Sequence, residues 1–225
     1  QASKGPDWTA LRDRVENAKP EDQMGRGELP AKGLILAAGV DCQLDRIEVH
    51  LVAFGAGFQR YAFDYKIIEH SIADEKGREA LDAILKTTWR TTLGRRIALD
   101  MLAIDGGAYT NAVWDWAKRH PWGRVIIVKG SSTQNGPAML PMKFERKADG
   151  QAKRAQKRAF LLNVSQLKAD FYAYLAKDDP ISRGYCGFAA GFGDEYFRQI
   201  SSEVRVLKRA RTGAVTSQWE LVEPT

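Results

Sequence analysis

LILAAGVDCQLDRIEVHLVAFGAGFQRYAFDYKII, residues 34–68, is the stretch that decides the fold. Its first part is a nearly continuous apolar run ending at Asp41, which is typical of a strand covered on both faces. Residues 46–55 then alternate apolar and polar side chains, as a half-exposed strand does, and a third strand follows a glycine-rich turn. Strands joined by tight turns pair with each other, so we expect three neighbouring antiparallel strands.

Helix and strand patterns alternate in the sequence that follows. A helical pattern over about 75–89 leads to a strand that ends at Asp105, and a second helix over about 111–119 leads to the strand RVIIVKG. The order β-β-β-α-β-α-β predicts an α/β fold with a mixed sheet flanked by helices. Beyond it we expect a strand at 160–164, a helix at 166–176 capped by Ser165, a helix from Asp194 to about Glu203, and a terminal β-hairpin turning at Thr212–Gly213.

Composition is that of a globular domain. The chain has 225 residues, of which 44% are hydrophobic and 28% charged, enough for one full domain with a sizeable core. It contains neither an apolar run of membrane-spanning length nor a secretory signal. We therefore expect a soluble, intracellular protein that is neither secreted nor bound to a membrane.

Two acidic residues stand where apolar strands end. Asp41 closes the first strand, and in LAIDGG, residues 102–107, Asp105 leads straight into two glycines. If the two strands are neighbours, the carboxylates lie about 5 Å apart and repel each other unless a cation lies between them. Oxygen ligands favour Mg²⁺ or Mn²⁺, and Gly106 and Gly107 would let a phosphate backbone approach. The alternative is that each aspartate only forms a turn or caps a helix.

Basic residues are concentrated in residues 143–158, KFERKADGQAKRAQKR. This segment has seven basic residues against two acidic ones, and the chain as a whole has a net charge of +6. With almost no apolar side chains it cannot fold against a core by itself, so we expect a flexible loop. We predict that it contacts a polyanionic partner such as a phosphate backbone, with a solvated loop as the alternative. The residues predicted to make this contact are Lys129, Lys153, Arg154, Lys157 and Arg158.

Several other chemistries lack their motifs. The sequence has no GxxxxGK[ST] or GxGxxG loop and no GxSxG nucleophile turn. The three histidines lack the spacing of a zinc site, and the two cysteines, Cys42 and Cys186, form no CxxC pair. These absences argue against nucleotide-dependent, serine-nucleophile and zinc-dependent chemistry.

Five ordered blocks carry a family resemblance. They are AAGVDCQLDRIEVHLVAFGAG, AIDGGAYTNAVWDWAKRH, RVIIVKGSS, GFGDEYFRQISSE and SQWELV. Together, over about residues 30–222, the sequence resembles the C-terminal nuclease domain of the large terminase subunit of lambda-like tailed phages.

The resemblance implies an RNase H-like fold and a metal-dependent endonuclease. Asp41 matches the acid of the first strand and Asp105 that of the fourth, and together they would hold two Mg²⁺ or Mn²⁺ ions when DNA is bound. Two such ions activate water and stabilise the leaving oxygen. The implied partners are double-stranded viral DNA, an N-terminal ATPase domain, the small terminase subunit and the portal, in the host cytoplasm.

The sequence departs from the family pattern at both ends. Residues 1–30 are expected to be the remnant of an interdomain linker, and residues 31–225 the nuclease domain. The family's third metal acid would lie beyond Thr225, and Asp194, Glu195 and Glu203 are the weak substitutes within the chain. Two alternatives therefore stay open: a catalytically silent DNA-binding or docking module, and another RNase H-like enzyme such as a resolvase, an integrase or a ribonuclease.

Overall fold

The computed structural model describes residues 6–20, 23–131, 136–142, 158–209 and 215–222. The helices are α1 (Trp8–Glu16), α2 (Glu75–Lys86), α3 (Thr110–Ala117), α4 (Val164–Leu175) and α5 (Asp194–Ile200). The strands are β1 (Ile35–Cys42), β2 (Ile47–Phe54), β3 (Arg60–Ile68), β4 (Thr88–Arg90), β5 (Arg96–Ala98), β6 (Met101–Asp105), β7 (Val125–Gly130), β8 (Met139–Pro141), β9 (Ala159–Leu162), β10 (Cys186–Phe188), β11 (Glu203–Arg209) and β12 (Val215–Leu221).

Eight strands form one mixed sheet in the order β10-β3-β2-β1-β6-β7-β9-β8. The first three strands along the chain pair antiparallel, and β6, β7 and β9 then add parallel to β1. This is the RNase H-like arrangement, so the predicted fold class is confirmed. β11 and β12 form the separate C-terminal hairpin.

The two faces of the central sheet differ in their covering. In β1 alternate residues are buried, from Leu36 to Cys42, and β2 continues this buried face from Ile47. On this side Ile47 reaches α2 at Gly77, where an added Cβ would lie 3.2 Å from its Cδ1. The opposite face carries the polar positions of β1 and β2, and α5 covers part of it through a contact between Tyr196 and His50.

The N-terminal helix is packed onto this framework. α1 lies against α5, and Trp8 lies between the guanidinium groups of Arg12 and Arg198. Arg14 donates hydrogen bonds to the carbonyls of Leu175, Lys177 and Cys186, which joins α1 to the end of α4 and to β10. The assignment of residues 1–30 as an interdomain linker stays a prediction.

Two predicted helix ends were wrong. α2 ends at Lys86, because the chain then turns into the short β4–β5 hairpin, where Trp89 packs on Phe63 with ring centroids 5.7 Å apart. Here tertiary packing of an aromatic side chain overrides the helical pattern. Similarly, α5 stops at Ile200, and Glu203 opens β11 instead of closing the helix.

Two helix N-caps lie one or two positions before the predicted residues. The side chain of Asn163, not Ser165, caps α4 by accepting from the Gln166 amide. Gly193 occupies the N-cap of α5, so Asp194 lies in the first turn. The predicted turn at residues 212–213 lies outside the described residues. Within the described part of the chain, no helix has the length and apolar character needed to cross a membrane.

Candidate active site at the carboxyl edge of the sheet

Asp41 and Asp105 are neighbours at the carboxyl ends of two parallel strands. The ladder between β1 and β6 pairs Val40 with Ile104, and the two aspartates follow at the next position. Adjacent strands lie about 5 Å apart. Because Val40 and Ile104 point into the core, alternation places both carboxylates on the opposite, more open face. The edge therefore presents two acids side by side.

The thiol of Cys42 lies close enough to both carboxylates to be affected by their charge. Its pKa is raised to about 12, first by burial and then by the negative charges of Asp41 and Asp105. A buried, protonated thiol of this kind is inert as a nucleophile. Cys42 is thus a small core residue beneath the acids, as its apolar surroundings indicate.

Each aspartate is oriented by a neighbour in the chain. The side-chain amide of Gln43 donates to Asp41 Oδ2. The backbone N–H of Gly107 donates to Asp105 Oδ1 at 3.0 Å. In each case the donor binds one oxygen of the carboxylate. The other oxygen has no side-chain partner among the described residues of the site.

Glu48 is a third acid at this edge, and the sequence analysis did not single it out. It is the register partner of Asp41 across β1 and β2. Its Oε1 accepts from Arg46 Nε at 2.8 Å, and its Oε2 accepts from the Tyr65 hydroxyl. The pKa of Tyr65 is raised by burial first, then by the bond to Glu48, and further by the charge of Asp41. The signal was present: Glu48 occupies an outward position of an alternating strand that follows a tight turn after Asp41.

His50 lies on the same face, one outward position further along β2. Its Nε2 is 2.6 Å from the hydroxyl of Tyr196, and its ring packs edge-on against Tyr65 and Tyr196. Burial lowers the pKa of His50 to about 4, so the imidazole is neutral at pH 7. The rings of His50, Tyr65 and Tyr196 pack together, which fixes the position of the Tyr65 hydroxyl that donates to Glu48.

The donor set can be compared with the needs of a divalent cation. Asp41 and Asp105 offer only oxygen atoms, which suit Mg²⁺ or Mn²⁺. Among the described residues, no three His, Cys, Asp or Glu side chains are arranged to hold a metal ion. Two neighbouring carboxylates would leave water and phosphate oxygens to complete the shell of such a cation.

The two glycines after Asp105 have different roles. A Cβ at Gly106 would lie 2.5 Å from Ile127 Cγ2, so Gly106 is required by close packing of the chain on β7. Gly106 therefore has a packing role, and its expected role in phosphate approach stays a prediction. A Cβ at Gly107 would lie 3.3 Å from both carboxylate oxygens of Asp105. The missing side chain at Gly107 is thus what leaves this carboxylate open.

The three candidate substitutes for the family's third metal-binding acid form contacts with residues outside the site. Asp194 pairs with Arg12 at 3.4 Å, and Glu195 accepts from Gln199 at 2.9 Å. Glu203 pairs with Lys168 at the base of the terminal hairpin. Glu48 is consequently the nearest additional acid in the ladder of the described strands.

The structure describes only some of the predicted DNA-binding residues. Lys129 is exposed and follows Val128, the register partner of Asp105, but alternation directs its side chain to the other face. Lys153, Arg154 and Lys157 lie outside the described residues, as does most of the predicted loop 143–158.

The expectation for Arg158 is corrected by the structure. Arg158 is only 8% exposed, and its guanidinium donates to the carbonyls of Ala117 and His120 at the end of α3. A cation bound in this way closes a helix terminus and is not displayed to DNA.

The comparisons with known proteins agree with this geometry. Over residues 1–224 the sequence matches the family described as "Terminase large subunit gpA, endonuclease domain". The large terminase subunit of Enterobacteria phage P21 is 24% identical over 224 residues, which cover 96% of this chain and 33% of that protein. The large terminase subunit of Escherichia phage lambda is 31% identical over 117 residues, 51% of this chain and 18% of that protein.

The chain spans a third or less of the length of these two relatives. No solved structure matches it. The family match covers nearly every residue, and the mixed sheet is the fold class that the sequence blocks implied. The chain belongs to the family of terminase large subunit gpA endonuclease domains.

Proposed function

We propose that this chain is the metal-dependent DNA endonuclease domain of a phage DNA-packaging terminase, which cuts concatemeric viral DNA by phosphodiester hydrolysis. The observation that carries the proposal is the adjacency of Asp41 and Asp105 at the carboxyl edge of the sheet. Sites in open α/β sheets lie beyond the carboxyl ends of strands. Membership of the endonuclease-domain family supports the reaction class.

Asp41 and Asp105 would hold Mg²⁺ or Mn²⁺, with two ions expected when DNA is bound. Such ions supply an activated water and stabilise charge on the leaving oxygen. Gln43 and the Gly107 N–H orient the two carboxylates. The open position at Gly107 leaves room for a phosphate beside Asp105.

The remaining assignments follow from the same proposal. Double-stranded viral DNA is the substrate, and Lys153, Arg154 and Lys157 would contact its backbone. In the longer protein, the partners would be an N-terminal ATPase domain, the small terminase subunit and the portal. The site of action would be the host cytoplasm, where phage particles assemble.

A plasmid-nicking assay tests this function. The chain is incubated with supercoiled plasmid and Mn²⁺ or Mg²⁺, with EDTA as the control. Metal-dependent nicking that EDTA abolishes supports the nuclease, and DNA binding without any nicking would favour the silent docking module. Equal cleavage of duplex DNA, four-way junctions and RNA hybrids would favour another RNase H-like enzyme.

A further inference from the structure

The terminal hairpin is an isolated two-stranded ribbon beside the candidate active site. β11 and β12 pair over seven residues each, from Glu203–Leu221 at the base to Arg209–Val215 at the far end. The ribbon extends about 20 Å and belongs to neither the main sheet nor the β4–β5 hairpin. A two-stranded ribbon is marginal without packing, so its attachment determines where it points.

The base of the ribbon is attached to α4. Trp219 packs on Tyr172, with ring centroids 5.1 Å apart, and donates from Nε1 to Ser165 Oγ at 3.2 Å. The amide of Glu203 donates to the Tyr172 hydroxyl at 3.1 Å, and its carboxylate pairs with Lys168. The three α4 residues that make these contacts lie on one face of the helix, so the ribbon is held against that face.

The start of this face of α4 adjoins the edge of the sheet that carries the acids. α4 starts directly after β9, and a Cβ at Gly130 of β7 would lie 3.1 Å from Val164 Cγ2. Two residues before Gly130, Val128 pairs with Asp105. The ribbon therefore leaves the body of the protein next to the strand that neighbours the proposed catalytic acid.

One face of the ribbon is anchored at its base, and the β11 side chains on this face are exposed further out. Glu203 and Trp219 lie on this face, and alternation puts Arg205, Leu207 and Arg209 on it as well. These three side chains are exposed, Leu207 by 57%. Arg205 donates to Ser217 Oγ at 3.0 Å, which holds its guanidinium against the ribbon. The open part of the face thus combines two guanidinium groups with one apolar side chain.

We propose that the β11–β12 ribbon is a DNA-contacting arm, in which Arg205 and Arg209 bind backbone phosphates of the duplex presented to Asp41 and Asp105. Guanidinium groups match phosphate geometry, and a two-stranded ribbon also has a width that the major groove admits. This inference rests on the proposed function for its ligand. It assigns DNA contact to a second element, distinct from the basic segment 143–158.

The test is the salt dependence of DNA binding by the whole chain, measured without divalent metal. A labelled duplex is titrated by fluorescence anisotropy between about 50 and 200 mM salt, the range in which phosphate contacts dominate. The Arg205→Ala/Arg209→Ala variant should bind more weakly and reduce the slope of log affinity against log salt by about 1.8, or 0.9 per lost contact. Arg205→Lys/Arg209→Lys keeps the charge and should retain most of the slope.

Arg90→Ala/Arg95→Ala is the matched control, because it removes two exposed cations from the region of the β4–β5 hairpin, which leads into the opposite end of β6. Its slope should equal that of the parent. An unchanged slope in the Arg205/Arg209 alanine variant, or an equal loss in the lysine variant, would overturn the proposal. If the parent protein shows the ribbon-dependent salt slope but no metal-dependent nicking, the proposed nuclease function is refuted. The proposed DNA contact by the ribbon is then retained.

Discussion

Asp41 and Glu48 face each other across the antiparallel ladder of β1 and β2, and Asp105 lies on the other side of Asp41. Three carboxylates in a row repel one another. Glu48 is stabilised by Arg46 and Tyr65, whereas among the described residues Asp41 accepts from Gln43 and Asp105 from the Gly107 N–H, one donor each. The unbalanced charge is therefore concentrated on the pair that is proposed to hold metal.

Asp105→Asn and Asp41→Asn should each abolish plasmid nicking in Mn²⁺ while leaving the fold intact. The amide keeps the shape of the side chain and removes the charge that attracts the cation. Circular dichroism and thermal unfolding check the fold, and Asp115→Asn, an exposed position on α3, is the control. Nicking at the parental rate by either variant would disprove the assignment.

Glu48→Gln should weaken Mn²⁺ binding by about tenfold, the usual lower range for a group that supports metal ligands indirectly. The substitution keeps an acceptor for Tyr65 but removes one negative charge beside Asp41. Tyr65→Phe frees the carboxylate and should have a smaller effect. Paramagnetic titration of Mn²⁺ measures both, with Glu195→Gln on α5 as the control, and an unchanged affinity in Glu48→Gln would show that this charge has no influence on the site.

Metal binding should be weak without DNA, and Mn²⁺ should support more nicking than Mg²⁺. Two carboxylates leave most of the shell to water and substrate, and Mg²⁺ gives up water reluctantly. Isothermal calorimetry without DNA is the measurement. Two tight Mg²⁺ sites would contradict this expectation and would mean that a further acid completes the shell.

Stability should fall as the pH drops from about 6.5 to 4. The folded protein lowers the pKa of His50 to about 4, from 6.5, so in this range the unfolded chain binds a proton that the folded chain does not. One pKa unit corresponds to about 1.4 kcal/mol, so the contribution of His50 is about 3 kcal/mol, fully present above pH 6.5 and lost by pH 4. Urea unfolding at pH 7 and pH 5 measures the loss, and His50→Gln should reduce it; an equal loss in this variant would assign the effect to other groups.

The basic segment and the buried arginine should behave differently when substituted. Replacing Lys153, Arg154 and Lys157 with alanine should weaken DNA binding uniformly across sequences and lower the salt slope by roughly two to three. Arg158→Ala should instead destabilise the fold by about 1–3 kcal/mol, because it removes the guanidinium that donates to the His120 carbonyl and leaves the Ala117 carbonyl with only the backbone N–H of His120. Salt-dependent binding and urea unfolding separate the two effects, and a triple variant with parental slope would make the segment a solvated loop.

Local patterns in the sequence were sufficient to predict most strands of the sheet, though not β8, β10 or the strand order. The apolar run to Asp41, the alternation in β2 and the tight turns between the first three strands each specify a strand and its neighbour, because side-chain period and turn length are local properties. The same reasoning placed Asp41 and Asp105 at strand ends. It failed at Trp89 and Glu203, where packing against distant residues determined where a helix stops.

The set of charged groups at the site was decided by the tertiary structure alone. Whether Asp41 and Asp105 are adjacent depends on the register of β1 against β6, which joins residues far apart in the chain. Register also placed Glu48 beside Asp41, while burial removed Arg158 from the surface. A sequence specifies the charge of each residue, but the distance between two charges and their exposure to water are set by the packing of the whole chain.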